Sequence, residues 1–218
     1  MLKVNPNILL VEGDEDRRVI PFLMDEYVVW GNQENEWVAE VRSHGGIEDL
    51  LEPGNIKAAA MTPGRKAVGI VVDADDQPDS RWARVRQCCL GIADDFPEVL
   101  PSGGLIHQNV DGLRIGVWIM PDNRSRGMLE TFLSHLIVPA DAPLWAFAQE
   151  SCARSRDHGA PYIDPHRDKA NIHTYLAWLD HPGRSLHVSV MARALDARLP
   201  MAEQFSRWFI DLFQLSPR

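Results

Sequence analysis

The sequence predicts an α/β protein with a mainly parallel sheet flanked by helices and a helical C-terminal part. Three observations carry this. Residues 8–11 and 67–72 are short, continuous apolar runs, the texture of strands buried on both faces. Segments with helical spacing alternate with them as far as residue 92, the pattern of an α/β layer. From Pro139 onward, apolar residues recur at helical intervals.

In order along the chain, residues 8–11 form the first strand, which ends in Glu12. Gly13 permits a tight strand-to-helix turn. Asp14 is placed to cap a helix whose apolar face is Val19, Ile20, Phe22, Leu23 and Tyr27. Pro21 inside that segment predicts a displaced start or a kink. Residues 37–42 read as a second strand. Gly45-Gly46 then turns into a short helix over 47–51 that Pro53-Gly54 ends. Weak helical character over 55–60 and a loop at Thr62-Pro63-Gly64 lead into the third strand, which delivers Asp73-Ala74-Asp75-Asp76.

Asp79 and Ser80 are candidate caps of a helix over 81–92 with Arg81, Arg84 and Arg86 on its exposed face. Cys88-Cys89 inside it reads as packing. Residues 104–108 and 113–119 form a hairpin pair joined by Asp111-Gly112. A helix beginning at residues 127–130 is expected to reach Ile137, followed by helices over 142–156, 167–179 and 201–215. Trp145, Phe147, Tyr175, Leu176, Trp178, Trp208, Phe209 and Phe213 supply their core-facing stripes. Residues 157–168, with Gly159, Pro161 and Pro165, are a long loop and the candidate mobile segment. The chain thus divides into an α/β core over 1–138 and a mostly helical extension over 139–218 packed on it.

Composition narrows the function classes. A net charge of −9 argues against coating nucleic acid through a broad basic face, yet it suits carboxylates gathered for cations. No apolar run is long enough for a membrane span. Met1 to Asn5 leads straight into the first strand, without room for a secretory leader. Three cysteines, two adjacent, form no disulfide framework, so a reducing cytoplasm is expected. The histidines are too scattered for zinc.

The chemistry concentrates at two strand ends. An extended backbone at Asp73-Ala74-Asp75 sets both carboxylates on one side, and Glu12 from a neighbouring strand completes a cluster of three. Clustered anions repel one another unless a cation or protons occupy the site. Magnesium or manganese, as one or two ions, takes such oxygen ligands. Asp14, Glu15, Asp76 and Asp79 read instead as capping or solvated acids.

Val11-Glu12-Gly13-x-x-Asp16 followed by apolar-Asp73-Ala74-Asp75 resembles the Toprim domain of topoisomerases, DnaG-type primases, recombination proteins and OLD-type nucleases, over residues 7–119. The resemblance implies a Toprim-like fold in which Glu12 serves acid–base chemistry or metal binding and Asp73 and Asp75 hold magnesium. The later segment, Pro121-Asp122-Asn123, Gly127-Met128-Leu129-Glu130 and Lys169-Ala170-x-x-His173, is similar to small stand-alone Toprim-like proteins. It implies Glu130 as a helper of a second ion and Lys169 as a catalytic cation, and Asp16 of the first motif is a further candidate helper. Read from the residues alone, Glu130 is equally a favourable helix-dipole charge and Lys169 a solvated one. Arg126 and His173 are candidate substrate contacts, as are His158, His166 and Arg124, although arginines on a helix face are more often simply solvated.

The leading reading is a magnesium- or manganese-dependent, nuclease-like phosphodiester-cleaving enzyme acting on DNA or RNA. The alternative is a catalytically weak binding or regulatory module with a protein partner, as in a phage-defence or toxin system. A receiver-like phospho-acceptor is a third, against which stand Gly13, where that fold wants a second acid, and the distant Asp73.

Overall fold

A computed structural model of the chain describes residues 4–31 and 36–218. Met1 to Lys3, read above as leading straight into the first strand, lie outside the described residues. Five strands, β1 (Asn7–Val11), β2 (Glu40–Ser43), β3 (Ala67–Asp73), β4 (Leu105–Gln108) and β5 (Arg114–Met120), form one sheet in the order β2-β1-β3-β5-β4. All neighbours are parallel except the edge pair β4 and β5. That pair is the hairpin expected from Asp111-Gly112, and the α/β class with a mainly parallel sheet and a helical C-terminal region is the one observed.

Alternation along the strands explains the two layers of helices. Leu9, Val11, Ala67, Val71, Trp118 and Met120 point to one face. They are covered by α1 (Asp14–Met24), α5 (Leu129–Ser134) and C-terminal helices, above all α9 (Pro200–Phe213). Ile8, Leu10, Val68, Ile70, Val72, Ile115, Val117 and Ile119 point to the other, under α2 (Ile47–Leu50), α3 (Asn55–Ala60) and α4 (Pro78–Cys88). The uninterrupted apolar runs of β1 and β3 are thus what a sheet buried on both sides requires.

Several boundaries depart from expectation, each for a local reason. The second strand is Glu40–Ser43, not 37–42. The carbonyls of Trp37 and Val38 accept hydrogen bonds from the Asn5 and Asn7 side-chain amides at 2.8 and 2.9 Å, so that stretch meets side chains where a ladder would begin. Asp14 is the first residue of α1, not its cap. Gly13 occupies the cap position in extended conformation, and the Asp16 carboxylate reaches back to accept its N–H at 3.1 Å. Asp14 instead accepts from Ser43 Oγ at 2.7 Å. Pro21 neither displaces the start nor ends α1, which runs through it.

Pro78, with its fixed φ and missing donor, opens α4 three residues before the expected start. Neither Asp79 nor Ser80 caps it, since Gln77 holds the cap position. Arg81 is turned inward and buried, not on an exposed face. Cys89 is buried in the core, as packing requires.

The C-terminal region contains α6 (Ala142–Ser155), α7 (Arg167–Ala177), α8 (Leu186–Met191) and α9, of which α8 carried no signal in the sequence. The long loop between α6 and α7 holds two 3-10 turns and is pinned to itself. Arg156 meets Asp164 at 2.7 Å and lies over the Tyr162 ring, whose hydroxyl donates to the Cys152 carbonyl at 2.6 Å.

α9 approaches the sheet where two glycines stand opposite one another, Gly69 on β3 and Gly116 on β5. A Cβ at Gly116 would lie 2.6 Å from Leu212 Cδ2 and 3.1 Å from its Cγ, and one at Gly69 would lie 2.5 Å from Leu9 Cδ1. The pair is a slot for the helix. Gly116→Val should lower stability by about 1–3 kcal/mol, the usual cost of overpacking a core. In urea unfolding, this cost should shrink when Leu212→Ala is already present, because the obstructing side chain is gone.

Candidate functional site

In an open α/β sheet, ligands sit beyond the carboxyl ends of the strands where successive connections depart in opposite directions. Here that point lies between β1 and β3: the chain leaves β1 for β2 on one side, and β3 pairs with β1 on the other. Glu12 follows β1 and Asp73 ends β3, so the two acids flank the parting. The link is direct, since the Asp73 N–H donates to Glu12 Oε1 at 2.7 Å.

The other side chains arrive from helices. Asp16 is buried at the start of α1, held by its bond to the Gly13 N–H. Asp73 Oδ1 accepts the Leu129 N–H at 2.9 Å, which ties β3 to α5 and places Glu130, only 3% exposed, beside it. Glu130 Oε1 meets Lys169 Nζ of α7 at 3.0 Å. One turn of each helix is cross-braced, because Thr131 Oγ1 donates to Asp168 Oδ2 at 2.5 Å. Glu12, Asp16, Asp73, Glu130 and Lys169 therefore line one cleft of about 390 Å³, together with Gly45, Gly46 and His44 from the end of β2.

Electrostatics follow from this crowding. Burial pushes the Asp73 carboxyl well above its ordinary range, and the charges of Asp16, Glu12, Glu130 and Asp75 push it further. Asp16 rises to about 7, first through burial and then through repulsion from Glu12. Glu12 is also raised by burial, against the Asp73 amide and the Arg81 charge, which favour its ionised form. Burial draws the Lys169 ammonium down, but Glu130 and Asp73 outweigh it and leave its pKa raised. The cleft thus holds protons that acids in water would have released.

Asp75 is the exception among the expected ligands. The backbone leaves the strand after Asp73, and Asp75 takes a left-handed φ of 50°. Its N–H and carbonyl are bonded to Gly127 at 2.9 and 2.8 Å, and its carboxylate pairs with Arg81. The same-side geometry expected of an extended Asp73-Ala74-Asp75 is therefore not adopted. Asp75 lines two neighbouring depressions, one with Gln77, Ser80 and Arg84 and one with Arg126 and Arg167. Arg126 is exposed, and His173 lies exposed one turn beyond Lys169 and does not line the cleft.

Sequence reasoning missed His44, and it read Asp14 and Glu15, which also line the cleft, as capping or solvated acids. His44 sets Nδ1 3.4 Å from Asp49, while its Nε2 is buried without a partner. Its backbone N–H bonds to the Val11 carbonyl at 3.1 Å, fixing it beside Glu12. Its signal was the Gly45-Gly46 turn that follows it. Arg81, just outside the cleft, is expected on an exposed face because the inward turn of α4 is not visible in the residue spacing.

The donor chemistry of the cleft, carboxylate oxygens in excess of cations, fits a hard divalent ion. Among the described residues, however, no three His, Cys, Asp or Glu side chains stand grouped as a ready-made ligand set. Glu12 and Asp73 each turn one oxygen to a backbone amide, and Glu130 turns one to Lys169.

The chain belongs to the family described as "Protein of unknown function (DUF3226)", whose model matches residues 6–214. No curated protein and no solved structure matches it. No helix among the described residues is long and apolar enough to cross a membrane.

Because Asp16 has its folded pKa raised from 3.8 to about 7, the folded state binds the extra proton. The Asp16 contribution to metal-free stability should therefore fall as pH rises from about 4 through 7 and level off above it. Asp16→Asn keeps an acceptor for the Gly13 N–H and removes the charge. It should be more stable than the unsubstituted chain at pH 8, by on the order of 2 kcal/mol, with the difference vanishing near pH 4 in chemical denaturation.

Proposed function

We propose that this member of the family is a magnesium- or manganese-dependent, nuclease-like enzyme that cleaves phosphodiester bonds in nucleic acid. The observation that carries the reading is the convergence of Glu12, Asp16, Asp73 and Glu130 on one cleft at the strand ends, with Lys169 beside them. Three of these acids have their pKa raised by burial, and Asp16 and Asp73 are raised further by the charges of their acidic neighbours in the cleft. A fold keeps such a cost where a cation relieves it. The Toprim resemblance adds to this reading at Glu12, Asp16 and Asp73, while its other acid, Asp75, lies outside the cleft.

In this reading Glu12, Asp16 and Asp73 hold the ion, with Glu130 able to join them. When bound, the metal supplies Lewis-acid polarisation of the scissile phosphate and activation of a water. The chain's own residues do the rest. Lys169, fixed on α7 by Glu130 and by the neighbouring Asp168–Thr131 bond, presents an ammonium to charge developing on phosphate oxygens. Arg126 and Arg167, exposed in the adjoining depression, offer cations along which a phosphate backbone can lie. Glu12, already held by the Asp73 amide, is oriented toward the cleft before any ligand arrives.

One observation favours a second reading, a catalytically weak module that binds a protein partner. Phe147 of α6 and Trp178 at the end of α7, expected to face the core, instead lie exposed against one another, with ring centroids 5.2 Å apart. Exposed aromatic pairs are the anchors protein interfaces use. A site in the cytoplasm suits either reading.

The purified chain with manganese should nick plasmid DNA or structured RNA, and Asp73→Asn should reduce the rate at least a hundredfold. Glu12→Gln should do the same, while Lys169→Met should lower the rate but leave manganese bound. Because ligands must shed protons, apparent metal affinity should rise between pH 6 and 8 in calorimetric titration. Cleavage unchanged in Asp73→Asn would defeat the assignment, and copurification of one partner with no cleavage of any nucleic acid would favour the second reading.

A further inference from the structure

Arg81 is a charged side chain only 8% exposed. One guanidinium nitrogen, Nη2, pairs with Asp75, and the other, Nη1, is buried without a partner. Asp75 is in contrast half exposed. The asymmetry matters: Asp75 can leave the pair for water at little cost, whereas Arg81 cannot. A buried charge deprived of its partner is strongly destabilising, because no solvent replaces what it lost. Asp75 is moreover held from behind. Its backbone is bonded twice to Gly127, and its left-handed φ directs the chain away from the strand axis that Asp73 continues.

We infer that Asp75 is not a ligand of the acidic cleft but the clamp on Arg81, a cation the fold builds in beside the cleft. The inference rests on the metal reading for the exclusion of Asp75 from the ligand set, and on geometry alone for the clamp. The arrangement divides the two acids of Asp73-Ala74-Asp75. Asp73 faces Glu12, Asp16 and Glu130, and Asp75 faces α4. Arg81 is near enough for its charge to favour ionised Glu12, as burial opposes it. It thereby offsets part of the repulsion among the acids without entering their cleft, whose lining includes neither Arg81 nor Asp75. Asp75 is in this sense a positioning residue: it touches the site's acids only through its charge, which raises Glu12 and Asp73, and it holds in place the Arg81 cation that works the other way on Glu12.

Two measurements on the full chain separate the parts. In metal-free urea unfolding, Asp75→Asn tolerates the left-handed backbone and removes the charge, and Arg81→Met keeps length without charge. If the clamp is real, the double variant should raise the unfolding constant at least tenfold less than the product of the two single effects. Simple multiplication of the effects would overturn the clamp. In calorimetric titration with manganese alone, Asp75→Asn should bind within about threefold of the unsubstituted chain, and Asp73→Asn at least tenfold more weakly. Equal weakening by the two variants would overturn the exclusion of Asp75. If the unsubstituted chain binds no manganese, or Asp73→Asn binds it unchanged, the metal reading of the cleft fails, and the clamp is decided by the unfolding cycle alone.

Discussion

The hydrogen bond from the Asp73 amide to the Glu12 carboxylate sits at the parting of β1 and β3, and the rest of the cleft depends on it. It turns the end of one parallel strand toward the next where the sheet's connections diverge. Asp73 in turn accepts the Leu129 amide, so the bond is one member of a chain running from β1 through β3 to α5. From α5 the path continues through Glu130 to Lys169, and through Thr131 to Asp168, into α7. A side chain 157 positions after Glu12 is thereby held in the same cleft. These bonds from backbone amides, with the Lys169 pair, are how a cluster of mutually repelling acids keeps its place.

That same cluster opposes the fold. Glu12, Asp16 and Asp73 each gain a backbone partner, yet burial and neighbouring charge still raise all three. The molecule relieves the conflict with protons and with two cations already present, Lys169 against Glu130 and Arg81 beside Glu12. The hydrophobic frame carries the remainder. β1 and β3 are buried on both faces, and α9 is seated in the slot between Gly69 and Gly116. A packed frame of this kind can hold a destabilised site that a loop could not.

How much of this was legible in the residues depends on range. The strands were readable because continuous apolar runs report burial on both faces directly, and the hairpin because Asp111-Gly112 is a local instruction. Glu12 and Asp73 were readable because a strand end followed by a turn fixes where a side chain must emerge, whereas Asp16, Glu130 and Lys169 came only from the family resemblance. What failed was set by tertiary contacts. Asp75 lies two residues past Asp73, and only its pairing with Gly127, more than fifty residues on, bends it out of strand geometry. Arg81 reads as a surface cation because its spacing does not show which face of α4 packs inward. His44 lacked a spaced partner in sequence, because its neighbours in the cleft come from β1, β3, α5 and α7.

The division between Asp73 and Asp75 bears on how an acidic pair should be read in general. Alternation along an extended strand is a statement about backbone, and it holds only while the strand lasts. Here β3 keeps its register with β5 to the pair Asp73 and Met120, and the first amide beyond it still bonds to the Met120 carbonyl at 3.1 Å. One residue later the chain turns left-handed, a conformation aspartate tolerates better than most side chains. Two acids with the same spacing thus meet opposite environments: Asp73 is packed among anions, and Asp75 is set against a buried cation. Spacing brings the pair to the strand end, and the backbone angle between them decides which faces the cleft.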